Sequence, residues 1–171
     1  MQWQIHLKKL TEALQRHMKT NKVAFLMGSE SDREVVEKSK IYFDFFGIDV
    51  DYIVSSAHRN PDKTGKLAAD ARANGYSVVI CAAGMAAHLA GVCASHTDLP
   101  VIGVPLKGGI LDGVDALLST VQMPSGIPVA TMAVGKAGVI NSAVYCAKII
   151  SLQDSELTIR LAEFKSKGSK L

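Results

Sequence analysis

Short apolar runs alternate with helical patterns along most of the chain, starting at Val23. Most of these runs are continuously apolar, which is typical of strands buried on both faces of a parallel sheet. The predicted strands cover residues 23–27, 48–54, 78–82, 101–104 and 129–134. Strands that alternate with helices in this way predict a doubly wound α/β domain around a central parallel sheet.

Helical spacing of apolar residues fills the intervals between the strands. Gly47 and Gly75 follow two of the predicted helices, in the position that a C-cap glycine takes. The predicted helices cover residues 5–18, 29–46, 62–74, 86–95, 112–121, 137–152 and 155–165. We therefore divide the chain into an accessory N-terminal helix (1–22), a central α/β domain (23–153) and a C-terminal helix (154–171).

The net charge of +3 is distributed unevenly over the 171 residues. Residues 1–22 carry +4 and residues 155–171 carry +2, so residues 23–154 carry −3. A negatively charged body lacks the basic surface that nucleic-acid binding requires. Two stretches without Asp, Glu, Lys or Arg, 73–97 and 116–135, contain too many glycine, proline and polar residues for a membrane span. We expect a cytoplasmic protein with neither a nucleic-acid nor a membrane partner.

Ligands of doubly wound domains bind beyond the carboxyl ends of the strands, so candidate chemistry is sought there. The first predicted strand is followed by Ser29, Ser31 and Asp32 at the start of a helix. Free backbone N–H groups and serine hydroxyls favour an anion at this place, and Asp32 can accept hydrogen bonds from ribose hydroxyls. An ordinary N-cap with acidic residues in its first turn explains the same segment. Neither a Walker-type phosphate loop nor a GxGxxG motif is present.

The second predicted strand ends in a loop that contains His58 and Arg59. Arginine binds phosphate through two parallel hydrogen bonds, and histidine transfers protons near neutral pH. His88 follows the third strand among small apolar residues, where a hydrogen-bonded core histidine is an equally good interpretation. No His, Cys, Asp or Glu residues have the spacing of a metal site, and the three cysteines have the apolar context of core residues. These residues predict a domain that binds a small phosphorylated ligand, with His58 as the candidate for proton transfer.

The chain carries short motifs in a fixed order at 28–32 (GSESD), 56–63 (SAHRNPDK), 83–89 (AGMAAHL), 121–128 (VQMPSGIP) and 135–138 (GKAG). This set resembles the N5-carboxyaminoimidazole ribonucleotide mutase family of purine biosynthesis. The resemblance covers about residues 22–153. Several independent motifs in one order make it far more specific than any single motif.

The resemblance implies a cofactor-free isomerase that moves a carboxylate from the exocyclic nitrogen of an imidazole ribonucleotide to ring carbon C4. It also implies a three-layer α/β/α sandwich of the flavodoxin-like or Rossmann-like kind, and a homo-octamer with sites at subunit contacts. His58 would carry the proton, and carbon dioxide would be retained as an intermediate. The implied substrate-binding residues are Ser29, Ser31, Asp32, Ser56, Ala57, Arg59, Ala83, Gly84, His88 and Leu89.

A second class of this family uses free carbon dioxide and the uncarboxylated ribonucleotide. Its second motif usually has Lys where this chain has Arg59, so Arg59 and residues 86–89 favour the mutase class. The chain departs from the family pattern at Met85 in place of Gly, at Ala90 in place of Pro, and at residues 107–110 in place of a Ser-rich loop. The alternatives are a carboxylase of the second class and a nucleotide-binding homologue without activity.

Overall fold

The computed structural model describes residues 21–171. The accessory helix predicted over residues 5–18 lies outside these described residues. Within residues 21–171, no helix is both long enough and apolar enough to cross a membrane. The three free cysteines are buried, in agreement with the prediction that they are core residues.

The central sheet has five parallel strands. They are β1 (Lys22–Met27), β2 (Asp49–Val54), β3 (Val78–Ala83), β4 (Val101–Pro105) and β5 (Ala130–Thr131). Their order across the sheet is β2-β1-β3-β4-β5, so β1 has the next strand of the chain on one side and β3 on the other. The strand order therefore reverses beside β1, and such a reversal opens a crevice at the carboxyl ends of the strands.

Helices connect these strands in turn, and two further helices follow β5. They are α1 (Arg33–Val36), α2 (Lys40–Phe46), α3 (Pro61–Ala69), α4 (Leu89–His96), α5 (Val114–Val121), α6 (Lys136–Ser151) and α7 (Ser155–Ser166). Short 3-10 turns, Glu30–Asp32 and Glu37–Ser39, flank α1. The single helix predicted over 29–46 is therefore a series of short helical segments. It ends at Gly47, as predicted, because this glycine takes the left-handed conformation with φ 66°.

Apolar side chains cover both faces of the sheet. In β1, Val23, Phe25 and Met27 pack towards α1, α2, α6 and α7, whereas Ala24 and Leu26 pack towards α3 and α4. This division follows from the alternation of side chains along a strand. The predicted three-layer α/β/α sandwich with a central five-stranded parallel sheet is therefore confirmed.

Three predicted elements differ from the structure by three or more residues at one end. The helix predicted over 62–74 ends at Ala69, because the chain then turns towards Gly75, which has φ 81°. The helix predicted from residue 86 begins at Leu89, with His88 as its N-cap, and residues 86–88 belong to the loop that also contains Met85 with its left-handed φ of 56°. The fifth strand is confined to Ala130–Thr131, since its ladder with β4 contains only two residue pairs.

Candidate active site

A cavity of about 370 Å³ lies beyond the carboxyl ends of the first four strands. This volume falls within the usual range for small-molecule sites, about 300–1,000 Å³. All residues that the sequence predicted for the site line the cavity: Ser29, Ser31, Asp32, Ser56, Ala57, His58, Arg59, Ala83, Gly84, His88 and Leu89. The cavity is also lined by residues outside that set: Gly28, Met85, Ala86, Lys107, Gly108 and Gly109.

A capping box around Ser29 holds the segment after β1 in place. Ser29 Oγ accepts hydrogen bonds from the backbone N–H of Ser31 at 3.3 Å and from Ser31 Oγ at 2.9 Å. Asp32 Oδ2 accepts from the backbone N–H of Ser29 at 3.1 Å. Because both acceptor positions of the Ser29 hydroxyl are used, its own proton is left for a ligand. The same residues therefore cap the turn and line the cavity, and the two interpretations of this segment are compatible.

Asp32 is half-buried, and this burial raises the pKa of its carboxyl group above the usual value. The hydrogen bond from the backbone N–H of Ser29 acts in the opposite direction but is the smaller effect. A carboxylate that has lost part of its hydration is stabilised by any hydrogen-bond donor that a ligand supplies. Asp32 is therefore suited to accept hydrogen bonds from the hydroxyl groups of a sugar.

Short polar contacts fix the loop after β2. Ser55 Oγ and Thr64 Oγ1 are buried and lie 2.8 Å apart, which ties the end of β2 to α3. Ser56 Oγ accepts a hydrogen bond from the backbone N–H of Arg59 at 3.3 Å. Arg59 itself is exposed, and none of the ion pairs among residues 21–171 involves it. Its guanidinium group is therefore available to an anionic ligand.

His58 and His88 form a pair in the cavity, although they are 30 residues apart in the chain. The distance from His58 Nε2 to His88 Nδ1 is 2.7 Å, and the rings meet edge to face at 81°. A hydrogen bond between two imidazoles needs one protonated and one unprotonated nitrogen, so the pair shares a single proton along this contact. The interpretation of His88 as a core histidine is wrong, because α4 begins one residue later and leaves His88 exposed.

The loop after β4 completes the cavity wall with Lys107, Gly108 and Gly109. Both glycines have positive φ, 117° and 73°, a conformation that other residues rarely adopt. Lys107 Nζ lies 3.1 Å from Asp112 Oδ2 in an exposed ion pair. The rule that ligands bind at strand ends pointed to this loop, but the sequence offered no chemical reason to choose residues within it.

The cavity thus combines a proton-transferring pair, a free guanidinium group and a set of hydroxyl and carboxylate groups. The histidines can accept and donate a proton, and Arg59 can bind a phosphate. Among residues 21–171, no three His, Cys, Asp or Glu side chains are grouped so that they could hold a metal ion. The arrangement is suited to proton transfer on a phosphorylated ligand.

Comparison with known proteins gives a family match over almost all of the described chain. The family model described as AIR carboxylase matches residues 22–170. The N5-carboxyaminoimidazole ribonucleotide mutase of Brucella melitensis is 46% identical over 143 residues, which cover 84% of this chain and 88% of the relative. The mutase of Thermotoga maritima is 42% identical over 146 residues, which cover 85% of this chain and 84% of the relative.

A solved structure agrees with these sequence matches. The crystal structure of Treponema denticola PurE has a TM-score of 0.78 and 27% sequence identity, and the match covers 86% of this chain and 91% of that one. The match over residues 22–170 agrees with the sheet of five parallel strands and with the motifs at the strand ends. The chain belongs to the AIR carboxylase family.

Proposed function

We propose that this protein is an N5-carboxyaminoimidazole ribonucleotide mutase, an isomerase of purine biosynthesis. It moves the carboxylate of its substrate from the exocyclic nitrogen to ring carbon C4 and forms 4-carboxy-5-aminoimidazole ribonucleotide. Curated relatives with 46% and 42% identity carry this name. The observation that carries the proposal is the contact of His58 with His88 in a cavity that also contains the unpaired guanidinium group of Arg59.

The phosphate and ribose of the substrate bind to the segments after β1 and β2. Arg59 pairs with the phosphate, and the free hydroxyl proton of Ser29 supplies a further donor. Asp32 accepts hydrogen bonds from the ribose hydroxyls, which offsets the cost of its partial burial. These contacts orient the imidazole ring towards the histidine pair, so binding energy is used to position the reacting atoms.

His58 moves the proton in both halves of the reaction. In the first half, the bond between nitrogen and carboxylate breaks, carbon dioxide leaves, and the nitrogen receives the proton of the His58 imidazolium. In the second half, C4 forms a bond to the carbon of carbon dioxide, and neutral His58 removes the proton from C4. The ring regains its aromatic character and His58 its proton, so the cycle needs no net acid or base.

His88 acts as a positioning residue for His58. Its ring lies edge to face against the His58 ring, with 4.9 Å between the ring centroids. The 2.7 Å hydrogen bond restricts the rotation of both rings and determines which nitrogen of His58 is protonated. A fixed ring orientation keeps the proton aimed at the substrate through both halves of the reaction.

Carbon dioxide is retained between the two halves in the part of the cavity lined by Ala57, Ala83, Gly84 and Leu89. These side chains are small or apolar and leave a wall without charge beside the reacting atoms. Carbon dioxide that enters water is diluted and hydrated, so recapture requires a pocket that excludes water. We place the reaction in the cytoplasm, as predicted from the sequence.

The decisive experiment is turnover of the purified protein with the carboxyamino ribonucleotide in buffer depleted of bicarbonate. We expect the C-carboxylated product to form at full rate under these conditions, since the substrate supplies its own carboxylate. A rate that depends on added bicarbonate, with the uncarboxylated ribonucleotide as substrate, would instead assign the protein to the carboxylase class. Absence of product from both substrates would identify a homologue without activity.

We further propose that the protein assembles as a homo-octamer. The apolar side chains of Val114, Leu118 and Val121 recur at helical spacing along α5 and are about half exposed. Ile110, in the preceding loop, is 96% exposed. Apolar surface of this extent is typical of subunit interfaces.

Light scattering at working concentration is expected to give the mass of eight chains. Leu118→Glu should shift the protein towards smaller species, because it places a charge within the apolar face of α5. Tyr145→Glu, at a partly exposed position on α6, is the matched control and should leave the mass unchanged. A wild-type protein that scatters as a monomer would contradict the proposed assembly.

A further inference from the structure

Lys107 is a cation at the cavity that has no role in the proton transfer. It lies in the loop after β4 and lines the cavity, whereas Arg59 lies in the loop after β2. In the sheet order β2-β1-β3-β4 these two strands are three strand spacings apart, which is about 14 Å. Two cations so placed fit an elongated ligand with one anionic group at each end.

The loop of Lys107 borders the part of the cavity in which we place carbon dioxide. The carbonyl oxygen of Lys107 lies 3.5 Å, and that of Leu106 3.7 Å, from the point where a side chain at Gly84 would start. Gly84 belongs to the wall around carbon dioxide, so the new carboxylate on C4 forms beside this loop. The phosphate is bound at the other end of the cavity by Arg59. Lys107 is therefore the cation at the carboxylate end of the ligand.

The ammonium group of Lys107 can exchange its present partner for a ligand at small cost. Its Cγ lies 3.5 Å from the point where a side chain at Gly135 would start, and its Nζ lies 3.1 Å from Asp112 Oδ2. The two side chains of this ion pair are 68% and 72% exposed, and exposed ion pairs contribute little to stability. The flexible stem of lysine lets the ammonium group leave Asp112 when another carboxylate competes for it.

Resting on the function proposed above, we propose that Lys107 binds the carboxylate that the reaction places on C4. Its Nζ donates a hydrogen bond to a carboxylate oxygen from the exposed rim, so the apolar wall around carbon dioxide stays free of charge. The site then binds the carboxylated product more tightly than the uncarboxylated ribonucleotide. The family pattern has a Ser-rich loop at residues 107–110, so this contact adds affinity for the product and takes no part in bond making.

Calorimetric titration with two ribonucleotides tests the proposal. One is 4-carboxy-5-aminoimidazole ribonucleotide, and the other differs from it only by the absence of the carboxylate. Every titration uses the His58→Asn background, so that the ligand is not converted while it binds. Adding Lys107→Gln is expected to weaken binding of the carboxylated ligand about fivefold and to leave binding of the uncarboxylated ligand unchanged.

Two further variants separate the contact of Lys107 from a general effect of charge. Asp112→Asn removes the competing partner of Lys107 and should strengthen binding of the carboxylated ligand about twofold. Asparagine tolerates the positive φ of 46° at this position, so the loop keeps its conformation. Lys63→Gln is the control, because it removes an exposed positive charge that does not line the cavity, and it should change neither affinity.

The outcomes separate this proposal from the proposed function. If Lys107→Gln weakens both ligands equally, the side chain acts on the loop as a whole, and the proposal is overturned. Unchanged binding of the carboxylated ligand to Lys107→Gln, or weaker binding of it to Asp112→Asn, overturns it as well. The titrations measure binding alone, so a wild type that binds both ligands without forming product contradicts the proposed function and not the contact of Lys107.

Discussion

Turnover of the His58→Asn variant is expected to fall by about a thousandfold, because general acid–base catalysis contributes about 10² to 10⁴. Asparagine keeps a polar side chain but cannot accept and return a proton, and it ends short of the Nε2 position through which His58 contacts His88. The phosphate and ribose contacts of Arg59, Ser29 and Asp32 remain, so substrate affinity should stay close to that of the wild type. Steady-state product formation and calorimetric titration with the substrate measure the two quantities separately.

His96→Asn is the matched control for this variant. His96 is an exposed histidine at the end of α4 that does not line the active-site cavity, so its substitution should leave turnover unchanged. His88→Asn removes the ring partner of His58 but keeps the proton carrier, so we expect a smaller loss and an altered pH profile. Full turnover of His58→Asn would refute the assignment of His58 as the proton carrier.

The position of the site was predictable because of the topology of the sheet. The segments that begin at Ser29, Ser56 and Ala83 each follow a predicted strand, and parallel strands end at the same edge. The order β2-β1-β3-β4 then makes these segments direct neighbours. One general rule about parallel sheets was therefore sufficient to predict that residues from distant parts of the chain line one cavity.

The contact between the two histidines was beyond sequence reasoning. His88 stands among small apolar residues, so its local context resembles that of a core histidine. His88 is exposed in a loop before the first residue of α4, and in that loop Met85 takes a left-handed conformation that no propensity predicts for methionine. The 2.7 Å contact joins side chains that are 30 residues apart in the chain. It depends on the backbone conformations of two separate loops, which the sequence does not predict.

Close packing between backbone segments is a second property that the sequence does not reveal. Gly138 appeared in the sequence only as part of a family motif in the first turn of α6. In the structure, a Cβ atom at this position would overlap the carbonyl oxygen of Ala133 and would lie 2.8 Å from its carbonyl carbon. It would also approach Val104 of β4 to 3.1 Å. The absent side chain therefore lets α6 pack directly against the segment that leads into it.

Gly138→Ala is accordingly expected to lower the free energy of unfolding by about 3 kcal/mol, at the upper end of the usual cost of overpacking a core. Backbone atoms cannot move aside as a flexible side chain can, so α6 must shift away from the backbone at Ala133. The midpoint of thermal unfolding should fall by about 6–12 °C. Urea unfolding gives the free energy directly.

Gly91→Ala makes the same chemical change in α4 and serves as its control. There the new Cβ atom would meet the sulfur of Met123 at 3.1 Å, at the flexible end of a side chain that can rotate away. Alanine also favours the helix over glycine by about 1 kcal/mol, so Gly91→Ala should be neutral or slightly stabilising. If both variants unfold at the same urea concentration, close backbone packing at Gly138 does not stabilise the fold.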